Sequence, residues 1–122
     1  MVTGGSEGLG LELCYQLAEQ GFNICMVSRN QVKIDQRLQE ISARFPDRQY
    51  RGVQADLASM TTVAQYRDLI NTKMSGMDVG VLCLNAGCWV EGPMDLISDE
   101  DFEREIGLNA VHVVHMTKAF LT

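Results

Sequence analysis

Short apolar runs that alternate with amphipathic stretches of a dozen residues or more constrain this chain more than any other feature. Such alternation marks strand–helix–strand units. A helical crossover returns the chain to the same end of the sheet, so the strands are expected to lie parallel. The first run is only Met1-Val2-Thr3, followed by a glycine-rich turn. Leu9, Leu13, Leu17 and Ala18 then recur at helical spacing, which predicts a helix over Leu9–Gln20 closed by Gly21. Asn23–Ser28 reads as a buried strand, and Ile34, Leu38, Ile41 and Phe45 form the stripe of a second helix, Gln31–Phe45, stopped by Pro46. Gln49–Ala55 predicts a third strand, Thr61–Met74 a third helix and Val79–Leu84 a further buried strand. Ser98 followed by Asp99, Glu100 and Asp101 predicts a helix start, with a capping hydroxyl and acids at the positive end of the dipole. That helix is expected to run to Thr122.

A chain of 122 residues is at most one domain, near the lower edge of what sustains its own core. The net charge of −6 argues against nucleic acid as a partner, because a phosphate backbone calls for a basic face. No apolar run is long enough to span a membrane, and the N-terminus lacks the basic-then-apolar pattern of a signal peptide. The expectation is a cytoplasmic protein, or one at the endoplasmic reticulum if a parent carries an anchor outside these residues. Cys14, Cys25, Cys83 and Cys88 sit in or beside apolar runs with no Cys-x-x-Cys spacing, and read as small buried hydrophobes in a reducing compartment. His112 and His115 lie three apart on one helical face without an acidic or cysteine partner nearby, so they read as packing and no metal site is expected. The acids from Asp99 to Glu105 lack the spacing of a calcium loop and read as a solvated helix start. Trp89 is expected to cover apolar surface from a loop.

Chemistry enters at Thr3-Gly4-Gly5-Ser6-Glu7-Gly8-Leu9-Gly10, between a strand end and a helix start. Gly4 permits the tight turn, Gly8 lets a pyrophosphate approach the backbone, and Gly10 lets the helix pack closely on the sheet. The helix N-terminus adds N–H donors and a favourable dipole.

The Thr-Gly-x-x-x-Gly-x-Gly spacing resembles the short-chain dehydrogenase/reductase family. It differs from the Gly-x-Gly-x-x-Gly of larger dehydrogenases, and from the epimerase spacing that would need glycine where Glu7 stands. Three further pieces fall in the family's order. Asp56, in Val53-Gln54-Ala55-Asp56-Leu57, is similar to the aspartate that contacts the adenine ring. Asn85-Ala86-Gly87 resembles the motif that steadies the sheet and lines the cofactor site. Asn109, in Leu108-Asn109-Ala110-Val111, is similar to the asparagine of the catalytic tetrad, which holds a water in the proton relay. The resemblance implies a Rossmann-type, doubly wound parallel α/β sheet, incomplete here: strands one to four and the helix carrying Asn109, with residues 1–122 a partial NAD(P)-binding domain. It implies a cofactor site built from Thr3, Gly4, Ser6, Gly8, Leu9, Gly10, Ser28, Arg29, Asp56, Leu57, Asn85, Ala86 and Gly87. In relatives the last helix makes the subunit contact, which implies a homo-oligomer.

The end of the second strand bears on cofactor choice. A carboxylate there would bind the ribose hydroxyls of NAD and repel a 2′-phosphate, but this chain has Ser28-Arg29-Asn30. A hydroxyl and a guanidinium suit a phosphate, so NADP(H) is the expected cofactor and NAD(H) the alternative. Many NADP-using relatives carry a second basic residue within the glycine loop, where Glu7 stands here. Gly21-Phe22-Asn23-Ile24, Val27-Ser28-Arg29-Asn30 and Gly76-Met77-Asp78-Val79-Gly80-Val81-Leu82 are similar to the branch of 17-beta-hydroxysteroid dehydrogenases and very-long-chain 3-oxoacyl-CoA reductases. That branch implies reduction of a carbonyl on a steroid or fatty acyl-CoA, within lipid metabolism.

The family's reaction also needs a serine, a tyrosine, and a lysine four residues after the tyrosine. The lysine lowers the tyrosine pKa and binds the nicotinamide ribose. Tyr15, Tyr50 and Tyr66 are followed at that spacing by Glu19, Gln54 and Ile70, so the catalytic half is expected beyond this chain. The chain alone is then expected to be inactive, either as the cofactor-binding portion of the enzyme or as an inert dinucleotide-binding or structural subunit. Its fourth strand is expected to be left as a sheet edge.

Overall fold

The computed structural model describes residues 1–121, which form two compact units. The first comprises Met1–Ala55 and Asp78–Ala86. It contains β1 (Val2–Thr3), α1 (Gly8–Glu19), β2 (Ile24–Ser28), α2 (Gln31–Arg44), β3 (Tyr50–Gln54) and β4 (Cys83–Leu84). All four strands are parallel in the order β3-β2-β1-β4, with Val2 opposite Met26 on one side and Cys83 on the other. The chain starts in the middle of the sheet, moves outward through β2 and β3, then crosses back to the other side of β1. That reversal leaves a crevice at the carboxyl ends of β1 and β4, where open α/β sheets place their ligands.

Alternation supplies the core. Val2, Ile24 and Met26 meet Cys14 and Ala18 of α1 and Ile34 and Ile41 of α2, all buried. The α2 stripe is the one expected, and the helix ends at Arg44 because Pro46 cannot continue it. Cys14 and Cys25 are buried free thiols whose pKa values burial pushes up to about 12 and about 11, so they serve as packing. Cys83 and Cys88 are only half-buried.

The predicted strand Val79–Leu84 needs correction. Only Cys83–Leu84 forms a strand, and the run is half-buried with Gly80 exposed. The physical reason is that, among the described residues, β4 pairs only with β1, through a two-residue register that Met1 extends by accepting from Cys83 N at 2.9 Å and donating to Val81 O at 2.7 Å. A strand with one neighbour is spared the burial of a central strand.

The second unit comprises Asp56–Met77 and the chain from Gly87 on. A short turn at Leu57–Ser59 leads into α3 (Val63–Lys73). Another, Met94–Leu96, precedes α4 (Asp99–Ile106), and α5 (His112–Leu121) closes the unit. Thr62 and Gln65 form a reciprocal capping box on α3, and Ser98 Oγ accepts from Asp101 N as the sequence predicts. The core lies between α3 and α5. Tyr66 is fully buried, donates to Leu57 O at 3.0 Å, and meets the His115 ring edge-on at 6.0 Å. His112 is also fully buried, its Nδ1 3.0 Å from Leu108 O, so both histidines pack as expected. Trp89 departs from expectation: it is 74% exposed and covers little. The single helix expected from Ser98 is interrupted by a π turn at Gly107–Val111, and its predicted last residue lies outside the described ones. Among the described residues no helix is long and apolar enough to cross a membrane.

Candidate functional site

In the first unit, Thr3, Gly4, Asn85 and Ala86 are bound into one knot at the ends of β1 and β4. Asn85 Nδ2 donates to Thr3 O at 3.1 Å and Gly4 O at 3.4 Å, and Ala86 N donates to Thr3 Oγ1 at 3.1 Å. Asn85 and Ala86 thereby hold the glycine turn to the sheet. Gly10 sits where α1 presses hardest on this knot. A Cβ there would lie 2.2 Å from Gly4 O and 2.5 Å from Asn85 Nδ2, so glycine is required for the close approach. Gly8 is the opposite case. Its φ of +56° calls for glycine, and a Cβ there would meet nothing within 4 Å. The space over the loop at Gly8 is open, and neighbouring Leu9 is 80% exposed.

The α1 start differs from the starts of α2, α3 and α4. Asn30, Thr62 and Ser98 each cap their own helix, whereas Glu7, at the capping position of α1, makes no such bond. Its carboxylate reaches instead to Lys33 Nζ in the first turn of α2, at 2.7 Å. The lysine beside it, by hydrogen bond first and charge second, holds the Glu7 carboxyl below the usual range. An anion meeting the α1 N-terminus would therefore find donors that no side chain has capped.

Beside the turn lies a cleft of about 520 Å³, lined by Ser6, Glu7, Ser28, Arg29, Lys33 and Gln54 among others. Ser6 is buried and shares a 2.7 Å hydrogen bond with Ser28 Oγ. The Arg29 carbonyl accepts from Gln54 Nε2 at 3.0 Å, but its exposed guanidinium has no hydrogen-bond or ion-pair partner among the described residues. Lys33 is the residue that motif reading missed. It lies four residues beyond Arg29, and only the α2 geometry carries its ammonium back to the loop.

In the second unit, Asp56 caps the Leu57–Ser59 turn by accepting from Ala58 N at 3.3 Å, and its other oxygen lies 3.5 Å from Arg104 Nη1. Leu57 turns its side chain into the core and accepts Tyr66 Oη at its carbonyl. Asn109 lies in the π turn. Its Oδ1 accepts from Cys88 N at 2.9 Å and its Nδ2 donates to Cys88 O at 2.6 Å, so the amide clamps the segment just after Gly87. Expanded turns of this kind recur where a helix must aim a functional residue. The expected site residues thus fall into two groups: Thr3, Gly4, Ser6, Gly8, Leu9, Gly10, Ser28, Arg29, Asn85 and Ala86 in one unit, and Asp56, Leu57, Gly87 and Asn109 in the other.

A parallel sheet of this order, with a glycine turn leading its central strand into a helix, defines a Rossmann-type α/β protein. A family model described as short chain dehydrogenase matches residues 1–122. The chain is 35% identical over 123 residues to the very-long-chain 3-oxoacyl-CoA reductase of Mycosarcoma maydis, with 99% of this chain and 35% of that one covered. It is 32% identical over 125 residues to the reductase of the same name from Bos taurus, covering 99% and 38%. Among solved structures, a blue fluorescent protein from a metagenomic library, in complex with NADPH, superposes with a TM-score of 0.81 at 30% identity, covering 97% of this chain and 47% of that one. The chain belongs to the short-chain dehydrogenase family, a family of oxidoreductases. It spans less than two-fifths of the length of those two reductases.

Proposed function

We propose that this chain binds NADP(H) and forms the cofactor-holding portion of an alcohol/ketone oxidoreductase. The observation that carries the reading is the cleft at the end of β2. A hydroxyl pair and an unengaged guanidinium stand there, and no carboxylate follows the strand to claim ribose hydroxyls. The open space at Gly8 and the uncapped start of α1 fit a pyrophosphate, and the cleft fits the phosphorylated end of the adenosine. Gly8 and Leu9 would meet the pyrophosphate, with Thr3, Gly4 and Gly10 shaping the turn beneath it, and Ser6, Ser28 and Arg29 would take the 2′-phosphate. Asn85 and Ala86 would line the rest of the site in this unit, and Asp56, Leu57 and Gly87, in the other unit, are the cofactor contacts that the family motifs imply. When bound, NADPH supplies the hydride for carbonyl reduction.

The names of the two reductases support a 3-oxoacyl-CoA carbonyl as substrate, and the NADPH in the structural relative supports the cofactor. Asn109 belongs to the proton-handling part of this reading, fixed by its clamp on Cys88. The partners are then a small carbonyl or alcohol substrate and a second copy of the chain through the last helix. Any endoplasmic-reticulum location would come from segments outside these residues.

A second reading is an inert dinucleotide-binding or structural subunit, which would hold the same nucleotide without turnover. Calorimetry with NADPH and NADH tests the binding common to both readings. We expect saturable NADPH binding that Arg29→Ala weakens by roughly 10- to 100-fold, the loss of a charge-assisted phosphate contact. Equal affinity for NADPH and NADH, unchanged by Arg29→Ala, would remove the arginine from phosphate reading.

A further inference from the structure

We infer that Lys33 is a second reader of the 2′-phosphate, held by Glu7 until the cofactor arrives and then transferred to the phosphate. The inference rests on the NADP(H) reading above and deepens it. Lys33 and Glu7 both line the cleft that contains Ser28 and Arg29. The two cations and one carboxylate give these walls a net charge of +1, against a phosphate that carries between −1 and −2 near neutral pH. As the structure stands, Lys33 is committed to Glu7 at 2.7 Å and only Arg29 is uncommitted.

The ion pair is weakly held, because the lysine and glutamate side chains are 47% and 69% exposed and water screens their attraction. A phosphate entering the cleft offers more negative charge and more acceptor oxygens than the carboxylate it displaces. Lys33 is also well placed to move. Its backbone N–H donates to Asn30 Oδ1 at 3.1 Å, which fixes the first turn of α2, while the flexible stem leaves the ammonium free to swing. Glu7 then acts as the competitor. It keeps the lysine folded across the cleft when no phosphate is present, and it penalises any nucleotide that cannot draw the lysine away.

Kd values of NADPH and NADH, measured by calorimetry on the purified chain and on Lys33→Gln, Glu7→Gln and the double variant, test this. Both side chains are largely solvated, so the variants keep the fold. Lys33→Gln is expected to weaken NADPH about tenfold while leaving NADH within about twofold, as removal of one charge-assisted contact would do. Glu7→Gln is expected to tighten NADPH. In the Glu7→Gln background, Lys33→Gln must still weaken NADPH. If the double variant binds NADPH as tightly as Glu7→Gln, the lysine only shields the carboxylate and the inference is overturned. It is overturned as well if Lys33→Gln weakens both nucleotides equally or neither, while Arg29→Ala still discriminates between them; the NADP(H) reading then survives. Failure of the unmodified chain to bind either nucleotide removes both together.

Discussion

Two glycines in the same loop are needed for opposite reasons, and substitution separates them. Gly10 has no room: a Cβ 2.2 Å from the Gly4 carbonyl would meet backbone that cannot rotate aside. Gly10→Ala is expected to cost about 2 kcal/mol or more, read as a lower urea midpoint, because α1 must back away from the sheet. Gly8 has room but a left-handed backbone. Gly8→Ala is expected to cost only about 1 kcal/mol in stability. In calorimetry it should lose far more nucleotide affinity than stability, since the methyl would occupy the open space over the loop. Equal effects of the two substitutions on stability would contradict this division. The assignments made from spacing, Gly4 for the turn and Gly10 for close packing, match the geometry. Lys33 was beyond such reading, because which face of α2 meets the loop depends on how the helix docks.

The helix carrying Asn109 shows what happens at the next scale. The helix start at Ser98 predicts one uninterrupted helix, yet residues Gly107–Val111 widen into a π turn between α4 and α5. The turn accompanies a tertiary bond, the Asn109 amide clamping Cys88 from both sides, which no local pattern announces. One turn later, α5 buries His112 completely against Leu108 O, and that burial holds the imidazole pKa below its ordinary 6.5. The sign follows from linkage. Above pH 6.5 the ring is neutral folded and unfolded, so its full contribution is present. As pH falls through 6.5, the unfolded chain binds a proton that the folded chain resists, and stability declines toward the lowered folded value. Thermal melts between pH 7.5 and 5.5 should show a falling midpoint, and His112→Gln should flatten that slope. An unchanged slope in the variant would assign the pH dependence to other groups.

For the molecule as a whole, the expectations concern association and turnover. β4 has β1 as its one strand neighbour among the described residues, as expected of an edge. Val114 and Leu121 on α5 are 64% and 79% exposed, and Leu96, Met94 and Trp89 also stand in solvent. The purified chain should self-associate in light scattering, and Val114→Lys with Leu121→Lys should reduce that association if the last helix carries it. Clean monomers at high concentration would count against the expectation. The same preparation should bind nucleotide without oxidising NADPH in the presence of a ketone, since Tyr15, Tyr50 and Tyr66 lack the lysine at the required spacing. Measurable turnover would show that another group supplies the proton.

The sequence by itself determined the parallel α/β class, the α2 stripe, the cap at Ser98, the stop at Pro46, and the family through four ordered motifs. All of these are local or strictly ordered along the chain: periodicity, backbone permissiveness and spacing survive without knowledge of neighbours. The α1 stripe predicted through Leu9, Leu13, Leu17 and Ala18 gave way to a buried face of Gly10, Cys14 and Ala18, with Leu9 left in solvent. Tertiary structure alone decided the two-residue length of β4, the π turn at Asn109, the exposure of Trp89 and the Glu7–Lys33 pair. Each depends on what lies across space rather than along the chain. A strand's burial is set by how many strands flank it, and an ion pair 26 residues apart exists only once two helix starts have been brought to the same cleft.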